Sequence, residues 1–341
     1  MGSARSSVVN EPNSLLDLDR LGRWLDEQGL APGEPVRAEL LTGGASNLMF
    51  RVQRGEHRWV LRRPAVVAVE RADEGMRREH RILTALEGTD VPHPAPIALC
   101  DDLDVLGCVF YLMALVEGVN PLPLPPGLDD SPGRAAVTFA LTDALACLHE
   151  VDFRAVGLAD LGRPEGFHER QVSRWSRQLA SYEGRELAGI NRVMDWLDRN
   201  KPEIFEPTIM HGDFHMLNVL VGSDAPARVT AIVDWETATI GDPLLDLAGF
   251  TEIWILSTGE GWPTREQIIE RYAATRGIAE IGDLTYYEVL YNFRLAVLLE
   301  GIYQRSLRDP NRPDQDLVGE RVLFNVSRAI ELIEDADRGD Q

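Results

Sequence analysis

Asp213, Asn218 and Asp234 are the residues of this chain whose types and spacing best suit chemistry. The first two lie five positions apart in "IMHGDFHMLNVLV", among short apolar runs where a core strand would carry valine and isoleucine. Asp234 follows 21 positions after Asp213, in "AIVDWETATIGDPLLDLA". All three offer hard oxygen donors, two from loop positions and one from the end of an apolar strand. Mg²⁺ is held by one or two carboxylates and substrate phosphates, so the set suits that ion together with a carboxylate base. His211 and His215 open a zinc alternative, because a spacing of four puts two imidazoles on one helix face. Against it, Gly212 is a poor helix former, and no Glu, Cys or third His follows at a ligand-like spacing. A buried polar turn is a further alternative, since Asp and Asn side chains readily satisfy turn backbone. It leaves the downstream recurrence of the polar set without a reason.

The elements that must position these residues are legible from periodicity. Leu15, Leu16, Leu18, Leu21, Leu25 and Leu30 predict an amphipathic helix over 14–29. "VRAELL", "NLMFRVQ" and "HRWVLRR" read as strands separated by Gly-containing turns. A helix over 72–87, ended by Gly88, and a buried strand in "CVFYLMALV" complete this part. Beyond a Pro-rich stretch at 119–133, helices are expected over 134–150, 168–182, 186–199, 264–275, 284–307 and 316–335. Two strands in "NVLVGSDAPARVTAIVDW" interrupt them. The expected fold class is α+β: a small β-rich N-terminal lobe (1–112), a hinge (113–118) and a large, mainly helical lobe (119–341). At 341 residues the chain is long for one core. Two lobes predict a cleft, and clefts hold ligands.

Charge and composition narrow the partners. A formal net charge of −21 argues against nucleic acid or an anionic membrane surface. No apolar run is long enough to span a bilayer and no signal peptide is evident, so a cytoplasmic location is expected. The opening "MGSARS" matches a myristoylation pattern of a kind that arises by chance. Cys100, Cys108 and Cys147 lack CxxC spacing and are odd in number, which predicts reduced thiols. The first 112 residues carry 13 arginines against 17 acidic residues, net −4, which leaves −17 to the remainder. Lys201 is the single lysine of the chain, so chemistry that usually calls on lysine falls to arginine.

"HGDFHMLN" stands where protein kinases carry H-R-D-x-x-x-x-N, and "DWE" stands where they carry D-F-G. The sequence resembles the aminoglycoside phosphotransferase-like kinases, which include choline and homoserine kinase relatives. Within them it is most similar to the bacterial branch related to kinase domains fused to acyl-CoA dehydrogenases. "VLRRP", "FHERQVSRWSRQL", "HGDFHMLNVLV", "DWETATIGDPLLDLA" and "FRLAVLLEGIYQR", spread over residues 60–305, carry that similarity. The resemblance implies a bilobal protein-kinase-like fold and Mg²⁺-dependent transfer of the γ-phosphate of ATP to an acceptor hydroxyl. It makes Asp213 the base, gives Mg²⁺ to Asn218 and Asp234, and has His211 and Asp246 steady the loop. "LTGGASNLMF" lacks G-x-G-x-x-G, yet Gly43, Gly44, Ala45 and Ser46 are placed to bring backbone N–H groups to phosphates. Arg62, in "WVLRRP", occupies the place of the phosphate-binding lysine, a departure from the kinase pattern. Arginine still supplies charge and bidentate donors. The alternative is an exposed strand charge beside Arg63. Glu79, in "MRREHRIL", is the expected partner of Arg62. Met113, Ala114, Leu115 and Val116, in "YLMALVEG", should face the adenine. Asp242 is placed to cap the following helix. Trp235 and Glu236 replace Phe-Gly, which leaves open a water-mediated metal contact of Glu236.

The acceptor is the least determined part, because fold does not fix substrate. An acidic second lobe suits a cationic acceptor such as an aminoglycoside or an amino alcohol, although bulk charge also serves solubility. Arg170, Arg174 and Arg177 share one face of an expected helix beside Trp175, with Arg294 and Arg305 on a second segment. Those arginines favour an anionic acceptor such as a hydroxyacyl thioester of coenzyme A. The alternative is that they pair with Glu169, Glu183 and Glu300. A kinase-like binding module without catalysis is a third reading, opposed by the intact Asp213, Asn218 and Asp234 and kept open by Arg62.

Overall fold

The computed structural model of the chain describes residues 15–43, 47–65, 71–182, 184–308 and 315–339. The chain divides into two compact units, Met1–Gly118 with Thr230–Glu236, and Val119–Val229 with Thr237–Gln341. The segment Thr230–Glu236, which carries Asp234, thus belongs with the first unit and not with the helical part where the sequence placed it. A main-chain tie holds it there: the Ile232 N–H donates to the Pro92 carbonyl at 2.8 Å.

The first unit opens with α1 (Leu18–Glu27), whose start is set by Asp17 accepting the Arg20 N–H at 2.9 Å. That cap shortens the helix relative to the apolar period, and the helix buries Leu21, Trp24 and Leu25. Next come β1 (Val36–Gly43), β2 (Asn47–Arg54), β3 (His57–Pro64), α2 (Ala72–Leu86), β4 (Pro96–Cys100), α3 (Leu103–Leu106) and β5 (Phe110–Ala114). The strands form one antiparallel sheet in the order β1-β2-β3-β5-β4. Strand β2 alternates between buried Leu48, Phe50 and Val52 and more exposed neighbours, the period-two pattern of a one-sided sheet. β4 escaped the sequence reading because it is short and begins with Pro96. Proline lacks an N–H and is tolerated at an edge strand, which is where β4 lies. Register sets Arg62 on β3 opposite Met49 on one side and Tyr111 on the other.

The second unit is mainly helical. Its elements are α4 (Ser131–Glu150), α5 (Gln171–Ala180), α6 (Ile190–Arg199), β6 (Thr208–Met210), β7 (Val219–Val221), the start of β8 (Val229–Ile232), β9 (Thr239–Gly241), α7 (Leu244–Ser257), α8 (Arg265–Thr275), α9 (Thr285–Ser306) and α10 (Gln315–Gly339). β6 and β9 pair antiparallel, Ile209 opposite Ile240. At three residues each they are too short to show a period. α7 was also unforeseen: "LLDLAGFTEIWILS" is apolar nearly all round, so no stripe marks it as a helix. Leu245, Leu247, Ala248, Phe250 and Trp254 are all buried, as such a helix requires. The three cysteines are free thiols.

Candidate active site

The loop His211–Asn218 joins β6 to β7 and is held from below by the first turn of α7. Asp246, 4% exposed, accepts the His211 N–H through Oδ2 at 2.6 Å and the Gly212 N–H through Oδ1 at 2.9 Å. One carboxylate thereby satisfies two consecutive backbone donors that no ladder reaches. Thr237 Oγ1 donates to the His211 carbonyl at 2.9 Å. Gly212 has φ +81°, and a Cβ there would stand 2.7 Å from the Thr237 carbonyl oxygen, so only glycine fits. His211 is fully buried, and its Nδ1 accepts the Asp213 N–H at 3.3 Å. Behind Asp246 lies a residue the sequence reading missed. His149 on α4 reaches Asp246 Oδ2 with Nε2 at 3.4 Å and Tyr272 Oη with Nδ1 at 2.6 Å. Burial lowers the pKa of His149 below the usual imidazole range, against the pull of Asp246. No local signal distinguished it from any helix-end histidine.

Asp213 presents its carboxylate with 47% side-chain exposure. Asn218 Nδ2 donates to its backbone carbonyl at 2.9 Å and to Oδ2 at 3.1 Å. His215 Nε2 lies 3.4 Å from the same oxygen. Burial pushes the Asp213 carboxyl up. The hydrogen bond and charge of His215, with His211 and Asn218, outweigh that and hold it below the ordinary carboxylate value. The amide oxygen of Asn218 takes no hydrogen bond from a described residue and is available to a cation. His211 and His215 do not share a helix face. The first precedes the turn, and the second caps the 3₁₀ turn Met216–Asn218 by accepting the Leu217 N–H at 3.2 Å. That geometry removes the basis of the zinc alternative.

In the first unit, Arg62 is 6% exposed, which rules out a solvated strand charge. Its Nε stands 2.9 Å from Glu79 Oε2, and its Nη2 reaches Glu79 Oε1 at 3.1 Å and Asp234 Oδ1 at 2.7 Å. Tyr111 donates to Glu79 Oε2 at 2.8 Å. Burial disfavours the charge on Arg62, but Glu79, Tyr111 and Asp234 prevail and raise its pKa. Burial raises the pKa of Glu79, and Arg62 and Tyr111 offset this only in part. Asp234 adopts φ +68°, a left-handed conformation that an L-residue holds at a cost of roughly 1–2 kcal/mol. Carboxylate oxygens of Glu79, Asp234 and Glu236 lie within 4.8 Å of one another, a hard donor set that suits Mg²⁺. Asn47 Nδ2 donates to Glu236 Oε2 at 3.3 Å. Gly43 ends β1, whereas Gly44, Ala45 and Ser46 lie outside the described residues. Met113 and Ala114 belong to β5, and the Ala114 N–H is already spent on the Ala95 carbonyl at 2.8 Å. Of the residues expected to face the adenine, Leu115 and Val116 lie past the strand end.

The structure sorts the arginines. Arg170 donates to the carbonyls of Arg163 and Glu165, and Arg177 Nε donates to Ser173 at 3.0 Å, so neither joins a common wall. Arg174 and Arg294 do meet, on the buried Trp175 ring, at 5.0 and 5.3 Å from its centroid. The expected partner Glu300 is taken by Arg185 at 3.2 Å, and Glu183 lies outside the described residues. Arg305 is exposed in the last turn of α9. Asp242 receives the Leu244 N–H at 3.1 Å, as a cap would, and also accepts the Tyr287 hydroxyl at 2.8 Å and meets His168 Nε2 at 2.9 Å. It therefore ties α9 to the segment before α5.

The profile of the phosphotransferase enzyme family (APH) matches residues 37–283. Mouse (Mus musculus) acyl-CoA dehydrogenase family member 10 is 31% identical over 281 residues, 77% of this chain and 26% of that protein. The chain thus spans about a quarter of that relative's length. A solved structure from Ralstonia eutropha JMP134, assigned to the aminoglycoside phosphotransferases, is 28% identical with a TM-score of 0.81, covering 94% of this chain and 99% of its own. An aminoglycoside phosphotransferase bound to GDP and kanamycin shares the fold at 18% identity and a TM-score of 0.60, covering 91% and 98%. The fold is therefore the two-lobed protein-kinase-like α+β class. Among the described residues no helix is long and apolar enough to cross a membrane. The matched span takes in Arg62, Glu79, Asp213, Asn218 and Asp234, and the chain belongs to the phosphotransferase enzyme family.

Proposed function

We propose that the chain transfers the γ-phosphate of ATP to the hydroxyl of a small molecule that carries negative charge elsewhere, such as a hydroxyacyl thioester of coenzyme A. Asp213 carries this reading. It is a half-exposed carboxylate kept ionised by His215, fixed by Asn218, on a loop anchored through Asp246. A carboxylate so placed orients the acceptor hydroxyl and takes its proton as the oxygen attacks phosphorus. Asn218, through its amide oxygen, and Asp234 are the proposed holders of Mg²⁺, whose hard-oxygen preference they meet. When bound, that ion neutralises charge on the phosphates. Arg62 Nη1 has no described partner, which leaves one donor for a phosphate while Glu79 and Asp234 hold the rest of the guanidinium. His211 steadies the loop from within. Leu115 and Val116 offer backbone to the base of the nucleotide, and Gly43 with the turn after it to the phosphates.

The test is Mg²⁺-dependent turnover of labelled ATP or GTP against kanamycin, small amino alcohols and hydroxyacyl-CoA esters. The expected result is transfer to an anionic acceptor that is lost in Asp213→Asn. Efficient phosphorylation of kanamycin would replace this acceptor class with the aminoglycoside alternative. Nucleotide binding without transfer to any acceptor would leave the binding-module reading.

A further inference from the structure

Arg294 is a half-buried cation whose inner nitrogen the fold seals without a counter-charge. It projects from the middle of α9 against the ring of Trp175 on α5. Its Nε is sealed from solvent and has no hydrogen-bond partner, and no described residue forms an ion pair with its guanidinium. The more deeply buried Arg54 and Arg62 do carry ion pairs: Arg54 with Asp26 at 2.5 Å, and Arg62 with Glu79 and Asp234. Burial lowers the pKa of Arg294 below the ordinary guanidinium value. The pull of Asp246, Tyr291 and Asp213 does not compensate, and Arg174 adds to the penalty. Tyr291, one turn earlier on the same helix, likewise has a hydroxyl without a described partner. Burial raises its pKa, and the Asp213 charge adds to that. A stack on Trp175 by itself would not retain a guanidinium here, since a methionine or leucine fills such a place with no charge to desolvate.

We infer that Arg294, with Arg174 beside it on Trp175, binds an anionic group of the acceptor, and that Tyr291 donates to the acceptor between that group and the Asp213 carboxylate. This rests on Asp213 being the base. It moves the recognition of charge away from Arg170 and Arg177, which spend donors on backbone carbonyls, to the pair on Trp175, of which Arg294 is the more desolvated. In a low-dielectric site such a donor discriminates strongly between a charged ligand and its neutral isostere. The bound anion is a carboxylate or a phosphate, and the two have the same recognition chemistry here.

Two matched pairs separate the cases by calorimetric binding: 3-hydroxybutyrate against 3-hydroxybutanamide, and 3-hydroxybutyryl-CoA against its N-acetylcysteamine thioester. The wild-type protein should prefer the charged member of one pair by about tenfold or more. Preference in the first pair identifies a carboxylate, and preference in the second a phosphate. Arg294→Gln should abolish the preference while leaving the neutral member within about twofold, and Arg294→Lys should retain part of it. Without ligand, Arg294→Gln should melt no lower than wild type, because a partly desolvated, unpaired charge is removed. The charged ligand should raise the Tm of the wild type and not of the variant. Charge preference that survives in Arg294→Gln, equal loss for both members, or no preference in either pair of the wild type would each overturn the inference. Charge-selective binding in a protein that turns over no ATP would instead refute the catalytic reading alone.

Discussion

At the scale of single residues, Asp213 and Asp234 are set up for different work. Asp213→Asn keeps the hydrogen bond from Asn218 but removes the proton acceptor. It should leave nucleotide affinity within about twofold and lower kcat by a factor of about 10² or more. Equal loss of nucleotide affinity and turnover would count against Asp213 as the base. Asp234 holds a left-handed φ that glycine adopts freely, so Asp234→Gly separates the backbone from the carboxylate. The variant should fold at least as well and require more Mg²⁺ for half-maximal rate. An unchanged Mg²⁺ requirement would remove Asp234 from the metal set. The pH dependence follows from the depressed pKa of Asp213. A carboxylate held below its unfolded value contributes stability above that value and loses it as pH falls through the folded one. The acid limb of kcat/KM from this group therefore lies below the ordinary carboxylate range, and His215→Ala, which removes the main opposing influence to burial, should move it upward. A limb unmoved in His215→Ala would show that His215 does not tune the base. Arg62 is the stability-critical residue of the first unit. Its removal leaves Glu79, Asp234 and Glu236 facing one another, so Arg62→Ala should cost about 3–5 kcal/mol in denaturant and raise KM for ATP. Arg62→Lys should be milder on both measures.

At the scale of elements, the His211–Asn218 loop is as rigid as its attachment to α7. Asp246 carries two backbone N–H groups, and Gly212 passes too close to Thr237 to bear a side chain. Asp246→Ala orphans both donors at about 1–3 kcal/mol each, and should depress kcat far more than KM for ATP, since the loop moves and the nucleotide contacts of the first unit do not. Gly212→Ala meets steric contact and an unfavourable φ together and should act in the same direction. Retained kcat in both variants would show that loop position is not limiting. The Asp242 tie between α9 and His168 has the same logic one layer further out: it holds the N-terminal end of the helix that carries Tyr291 and Arg294.

At the scale of the molecule, charge sets the approach of ligands. The net charge of −21 repels an anionic nucleotide at long range, although the local groups proposed to receive it include arginines. Raising ionic strength from about 0.01 to 0.1 M shortens the Debye length from about 30 to about 10 Å. At fixed free Mg²⁺, kcat/KM for ATP should then rise on the order of two- to tenfold. A fall would show that the local arginines dominate the field seen by the nucleotide.

What the sequence by itself determined was local in the chain. Asp213 and Asn218 are five apart, so their hydrogen bond could be anticipated from one loop motif. The amphipathic helices α1, α6 and α8 and strands β1 and β2 were legible because their burial follows a period of 3.6 or 2. Strands of three residues and a helix apolar on every side carry no period, which is why β6, β9 and α7 were not foreseen. Tertiary structure decided everything that depends on counter-charge and enclosure. Arg62 and Asp234 are 172 positions apart, and His149 and Asp246 are 97 apart. Whether an arginine is neutralised, as Arg62 is, or stranded against a tryptophan, as Arg294 is, depends on which distant helix or strand packs over it. Composition and spacing along the chain hold no information about that packing, because desolvation and Coulomb energy act through space between groups the chain does not make neighbours.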